Sequence, residues 1–174
     1  MRRVMIVGGP GSGKSTLARD LGDVTGLPVC HMDLIHWKPG WIERPTAEKL
    51  PLIGAWESRD AWIIEGGLSR TYENRAARAD TIIFLDLPLM LRLWRVVRRR
   101  MLYRGGQTRP DLPRDCPERL DGAFLRWIVS SSRRTRRRNL DLRDGAAHAT
   151  YIHLRSGAAI TRWLAGIAAA PSAG

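Results

Sequence analysis

Only two cysteines occur in the 174 residues, Cys30 and Cys116, and they lie far apart. That spacing excludes a disulfide framework, a redox pair and a four-cysteine zinc site, and both thiols are expected to be reduced and structural. Lysine is almost as scarce: Lys14, Lys38 and Lys49 are the only three among 29 basic residues. Arginine therefore carries the positive charge. A GC-rich genome explains the choice of arginine over lysine but not the excess over 17 acidic residues, a net charge of +12. Such a field favours anionic partners: nucleotides, phosphorylated metabolites or nucleic acid. No apolar run approaches the roughly 18 residues that span a bilayer, so no membrane partner is expected. The opening residues 1–7 are too short in their apolar stretch for a signal peptide, which makes cytoplasmic residence the expectation. There is no internal repeat and no linker long enough to separate domains. With 44% hydrophobic residues, 1–174 reads as one soluble domain with a sizeable core.

The feature that is present and decides most is Gly8-Gly9-Pro10-Gly11-Ser12-Gly13-Lys14-Ser15. It satisfies every fixed position of the Walker A phosphate loop, G-x-x-x-x-G-K-[ST]. The apolar run 4–7 before it reads as a buried parallel strand. Residues 16–22 after it read as a helix, with Leu17 and Leu21 one turn apart on one face. Glycines let successive N–H groups point inward at phosphate oxygens, and the helix start adds unpaired N–H groups and a positive dipole end. Gly8, Pro10, Gly11, Ser12, Gly13, Lys14, Ser15 and Thr16 are the expected ATP contacts. Lys14 supplies a mobile positive charge for the outer phosphates, and the Ser15 hydroxyl suits Mg²⁺.

Strand and helix signals alternate along the rest of the chain. That predicts an α/β, three-layer P-loop NTPase fold, with a five-stranded parallel sheet, helices on both faces and a small helical lid. The expected strands are 4–7, 27–32, 61–64, 81–85 and 151–154. Helices are expected over about 47–58, 89–103 and 158–169, with another marked by Phe124, Trp127, Ile128 and Ser131 that runs into the arginines of 133–138. A Trp- and Pro-rich loop fills 36–45. The polar, turn-rich loop 105–113 suits a mobile lid. The acceptor-binding segment is placed at about 33–60, the lid at about 100–138, and the tail 170–174 is expected to be loose.

Ligands in open α/β sheets bind beyond the carboxyl ends of the strands. Three carboxylates follow apolar runs there: Asp33, Glu65 and Asp86. Taken singly, each fits a capping or turn role as well as a catalytic one. Their convergence on one phosphate site points to metal and substrate handling. Asp33 is the candidate acceptor residue, as base or hydrogen-bond acceptor for a substrate hydroxyl. Glu65, before Gly66 and Gly67, is placed on Mg²⁺ through water. Asp86 fits the Walker B pattern of four apolar residues and an acid. Pro88 two residues on suggests an N-cap instead, so Asp86 ranks below Glu65 as a metal partner.

Arg92, Arg95 and Arg99 recur at i, i+3 and i+7, one face of the helix after Pro88. A solvated face is the reading for Arg92. Arg95 and Arg99 lead into the lid and are expected on the triphosphate, where a planar guanidinium binds two oxygens at once. Leu91, Trp94 and Met101 are left to face the core. Trp37 and Trp41 flank the Lys38-Pro39-Gly40 turn, and one of them is a candidate to stack on a substrate ring, burial being the commoner fate. Trp56, Trp62, Trp94, Trp127 and Trp163 read as core.

With these residues in hand, the chain resembles the adenylate-kinase-like branch of P-loop kinases over nearly its whole length. The resemblance rests on the phosphate loop, the segment from Asp33 to Arg44, Ile63-Ile64-Glu65-Gly66-Gly67, and Phe84-Leu85-Asp86-Leu87-Pro88 followed by Arg95 and Arg99. It implies that Arg95 and Arg99 bracket the adenine and phosphates of ATP. Within the branch the chain is most similar to the bacterial DNA topology modulation (FlaR-like) proteins, through 32–41, 82–88, 93–96 and 104–111. Glu65-Gly66-Gly67-Leu68-Ser69-Arg70 stands where adenylate kinases have Asp-Gly-Phe-Pro-Arg, and Arg70, the implied substrate contact, lies one position further on.

Three functions compete. A kinase would pass the γ-phosphoryl of Mg·ATP to a nucleotide or other small acceptor near Asp33, with Lys14, Asp33 and Arg99 as its catalytic set. A nucleic-acid-associated ATPase or regulator would use the basic surface. A GTPase switch lacks support: no Asn-Lys-x-Asp motif occurs, and the only Asp-x-x-Gly, Asp23 to Gly26, precedes the second strand. Asp86 is followed by Leu87 rather than a second acid, which counts against motor-type hydrolysis. The kinase reading is favoured. The acceptor and the oligomeric state are not encoded in any motif.

Overall fold

A computed structural model describes residues 1–103, 109–117 and 120–169. Much of the expected lid loop and the tail from residue 170 lie outside them. The chain opens with β1 (Arg3–Gly8), α1 (Lys14–Thr25) and β2 (Val29–His31). It continues through α2 (Met32–His36), a small hairpin of β3 (Trp37–Lys38) and β4 (Ile42–Glu43), and α3 (Thr46–Glu57). Then follow β5 (Trp62–Glu65), α4 (Tyr72–Arg78), β6 (Thr81–Leu85), α5 (Leu89–Leu102), α6 (Gly122–Gly145), β7 (Thr150–Leu154) and α7 (Gly157–Ala169).

Five strands form one parallel sheet, as expected, and their order is β2-β5-β1-β6-β7. Parallel strands buried on both faces need continuous apolar runs, and β1 and β6 supply them. Alternate residues of β1 divide the core. Met5 and Val7 join Trp62, Ile64, Ile53 and Tyr72 under α3, α4 and α6. Val4 and Ile6 join Leu17, Leu21, Ile63 and Ile83 under α1 and α7.

The strand β2 is shorter than expected. Its last expected residue, Met32, already belongs to α2, so Asp33 sits in the first turn of a short helix. The loop 36–45 holds the β3–β4 hairpin, and α4 adds to the expected elements; both are too short for a period to register. Two tryptophans depart from the core assignment. Trp94 is 57% and Trp127 51% exposed. Helix α5 buries Arg92 and Val96, one turn apart, so Trp94 between them faces the opposite way. Met101 is also exposed. Trp127 lies at the surface with its ring stacked on Phe124, 5.8 Å between centroids. Trp62 is fully buried, and Trp56 and Trp163 pack partly buried against the two core faces.

Candidate active site

The phosphate loop leaves β1 at the sheet's carboxyl edge and enters α1 through Gly13, which is left-handed and offers no side-chain cap. The first N–H groups of α1 thus keep the donors that an anion takes. Two glycines are required by what lies behind the loop. A Cβ at Gly11, where φ is +76°, would sit 2.4 Å from the carbonyl oxygen of Arg92. A Cβ at Gly9 would sit 1.7 Å from the Arg92 guanidinium. Helix α5 therefore presses on the outside of the loop. This overturns the solvated reading of Arg92: it is 6% exposed, and its Nη2 donates to Ser132 Oγ at 2.6 Å. Arg95 reaches the loop, donating to the Ser12 carbonyl at 3.4 Å. Ser12 itself is fully buried, Pro10 half-buried and Thr16 exposed at the start of α1.

Lys14 Nζ donates to the Gly9 carbonyl at 3.3 Å. Burial lowers the Lys14 pKa, against the pull of Glu65 and Asp33, and Arg99 and Arg109 add to the lowering. The expected catalytic set, Lys14, Asp33 and Arg99, thus shares one electrostatic neighbourhood. Glu65 ends β5 at 2% exposure, and its Oε1 accepts from Ser15 Oγ at 3.0 Å. The His31 ring, from the neighbouring strand, meets the same oxygen through Nδ1 at 2.9 Å. Asp33 is half-buried. Burial raises its pKa, the negative charge of Glu65 adds to that, and Lys14 and Arg109 oppose it. Gly66 brings the end of β5 onto the start of α2: a Cβ there would lie 3.1 Å from that of Met32.

Two further residues complete the site. Arg109 pairs with Asp111, its Nε donating to Asp111 Oδ1 at 2.9 Å. Burial pushes the Asp111 carboxyl up, but Arg109 and the Ser15 hydroxyl outweigh that and hold it well below the ordinary carboxylate range. Glu65 and Asp111 therefore approach one hydroxyl that owns a single proton. Periodicity could not find Asp111, which lies in a loop; its only signal was the family-like stretch 104–111. Part of the described lid packs against the rest of the chain: Asp111, Leu112 and Cys116 are buried, and Trp41 Nε1 donates to the Pro117 carbonyl at 2.9 Å. Trp37 meets Trp41 edge-on at 5.3 Å, so the pair joins hairpin to lid segment.

The remaining expected site residues lie elsewhere. Arg70 is exposed in a 3₁₀ turn, Ser69–Thr71, whereas the fully buried Arg75 ties the loop after β5 by donating to the Gly66 and Leu68 carbonyls. Asp86 does not cap α5. Its carboxylate accepts from Arg136 and is hydrogen-bonded to His153 Nε2 at 2.9 Å. Burial raises its pKa, and Arg136 and His153 more than reverse that. Among the described residues no three His, Cys, Asp or Glu side chains are gathered to hold a metal, and no helix is long and apolar enough to cross a membrane.

No family model matches the chain, and no curated protein matches it. Solved structures do. An unliganded sugar kinase from Janibacter sp. HTCC2649 is 20% identical with a TM-score of 0.55, covering 99% of this chain and 97% of that one. Shikimate kinase from Acinetobacter baumannii, solved with shikimate, is 18% identical with a TM-score of 0.53, covering 96% and 91%. A gluconokinase from Sinorhizobium meliloti 1021 is 16% identical with a TM-score of 0.52, covering 96% and 91%. The fold is that of the P-loop kinases.

Proposed function

We propose that the chain is an ATP- and Mg²⁺-dependent phosphotransferase acting on a small-molecule acceptor, a nucleotide or another hydroxylated metabolite. One observation carries this reading: at the carboxyl edge of one parallel sheet Ser15 donates to Glu65, and the charges of Lys14, Asp33 and Glu65, from three segments, act on one another. The start of α1 keeps its first N–H groups uncapped beside Lys14, a donor set that suits a triphosphate. Ser15 and Glu65 are hard oxygen donors, the chemistry Mg²⁺ prefers, and would hold it with Glu65 acting through water. Held by these residues, the ion would supply charge neutralisation for the transferring phosphoryl group. Asp33 accepts the proton of the acceptor hydroxyl as its oxygen bonds to the γ-phosphorus and the bond to ADP breaks. The raised Asp33 pKa brings the group nearer to what a base needs. Lys14 and Arg99 stabilise charge on the phosphoryl oxygens, and Arg95 sits against the loop to bracket the nucleotide. The likeness to sugar, gluconate and shikimate kinases supports small hydroxylated acceptors, and the similarity to the DNA topology modulation proteins sits within the same reading.

The test is ADP release from Mg·ATP across a panel of acceptors. Acceptor-dependent release lost in Lys14→Ala and Asp33→Asn supports the proposal. A second reading has its own observation: Arg133, Arg134, Arg137 and Arg138 lie on α6, and Arg137 is 85% exposed along its side chain. A nucleic-acid-associated regulator would give DNA-stimulated hydrolysis with no small acceptor, and steep salt dependence.

A further inference from the structure

We propose that the chain has a second anion site, on the outer side of the phosphate loop, that takes the phosphate group of a small organic molecule. A cavity of about 400 Å³ lies between the ends of β6 and β7, the start of α5 and the middle of α6. Its size is that of an ordinary small-molecule site. The loop touches it only through Gly9; neither Lys14, Ser15 nor Arg95 lines it. Three arginines do, Arg92, Arg136 and Arg155, against a single acidic residue, Asp86. That carboxylate is already engaged by Arg136 and His153. The walls therefore carry surplus positive charge.

The second observation is independent of charge. Asn139 lines the cavity at 0% exposure, and neither its side-chain oxygen nor its nitrogen has a hydrogen-bond partner among the described residues. Arg92, at 6% exposure, leaves its Nε unpartnered among them as well. Buried polar atoms left without partners are costly, and a core position on a helix face tolerates an apolar residue at no such cost. A ligand that takes arginine donors through phosphate oxygens, and that Asn139 turns to meet through a hydroxyl or amide, would relieve that cost. The apolar wall of Phe84 and Leu87 suits an organic body rather than a bare ion.

The test is equilibrium dialysis of the full chain against radiolabelled inorganic phosphate. The Lys14→Ala variant removes the phosphate-loop contribution and should keep one bound phosphate. Arg155→Ala in that background, an exposed change that leaves the fold alone, should weaken binding about tenfold, the loss of one charge contact. Asn139→Asp, close in shape and opposite in charge preference, should weaken it by at least as much. Phosphate retained unchanged in both variants, or lost with Lys14→Ala alone, overturns the proposal. The outcome does not depend on phosphoryl transfer, so failure of the kinase reading would leave it standing.

Discussion

Replacing Gly9 by alanine isolates the contact between helix α5 and the phosphate loop. The new methyl group would lie 1.7 Å from Arg92 Nη1 and 2.8 Å from its Cζ. Both atoms are the far end of a flexible side chain, so Arg92 swings rather than the backbone. It has space, because it borders the 400 Å³ cavity. What it gives up is the 2.6 Å hydrogen bond to Ser132. A hydrogen bond to a charged group contributes about 1.5–3 kcal/mol. In a chain of this size that lowers Tm by roughly 3–12 °C. The assay is thermal unfolding of Gly9→Ala, Arg92→Met and the double variant. In the Arg92→Met background the methyl group has less to displace, so the cost of Gly9→Ala should largely vanish. An equal cost in both backgrounds, or none in either, would refute the reasoning.

Gly11→Ala should be worse, beyond about 3 kcal/mol, because its clash is with the backbone of α5 and its φ of +76° is strained for alanine; urea unfolding measures it. The Asp111 carboxyl is held below its ordinary value in the folded chain. Its stabilisation is therefore complete above the unfolded pKa of about 3.9 and is lost as pH falls through the lower folded value. The stability gap between the parent and Asp111→Asn should be full near neutrality and shrink below that range, and a gap independent of pH would contradict the assignment. Trp41→Phe removes the indole donor to Pro117. It should cost about 1 kcal/mol and speed amide exchange over residues 109–117 about fivefold.

The features of the site legible in the sequence are those with local signatures. The phosphate loop is a fixed spacing between a strand and a helix. Glu65 is an acid directly after an apolar strand, and it points where such an acid should. Asp33 obeys the same rule although the chain there is helical, because α2 begins where β2 stops. Arg95, which donates to the Ser12 carbonyl, lies on the helix face that the i, i+3, i+7 spacing marks. Arg92 was not: on one helix face nothing local distinguishes it from Arg95, and its burial depends on the room left by Gly9, far away in sequence. Asp111 and Arg75 were hidden for a related reason. Each is set by a tertiary partner, Ser15 for one and the loop carbonyls after β5 for the other, and neither carries a local signature of that partner. The exposed Trp94 shows the reverse case, an apolar residue on a helix whose buried side is taken by an arginine.

The strand order also constrains how the chain comes to be folded. Strand β1 lies at the centre, and its neighbours on either side, β5 and β6, come much later in the chain. A nascent chain that ends before Thr81 holds β1 with one flank open, an invitation to pair with another molecule. Closing the sheet means gathering distant segments, which is slow and leaves sticky intermediates. The phosphate loop hangs from that central strand, so its surroundings are completed late in synthesis, and carboxyl-terminal truncations should aggregate rather than persist as smaller folded units.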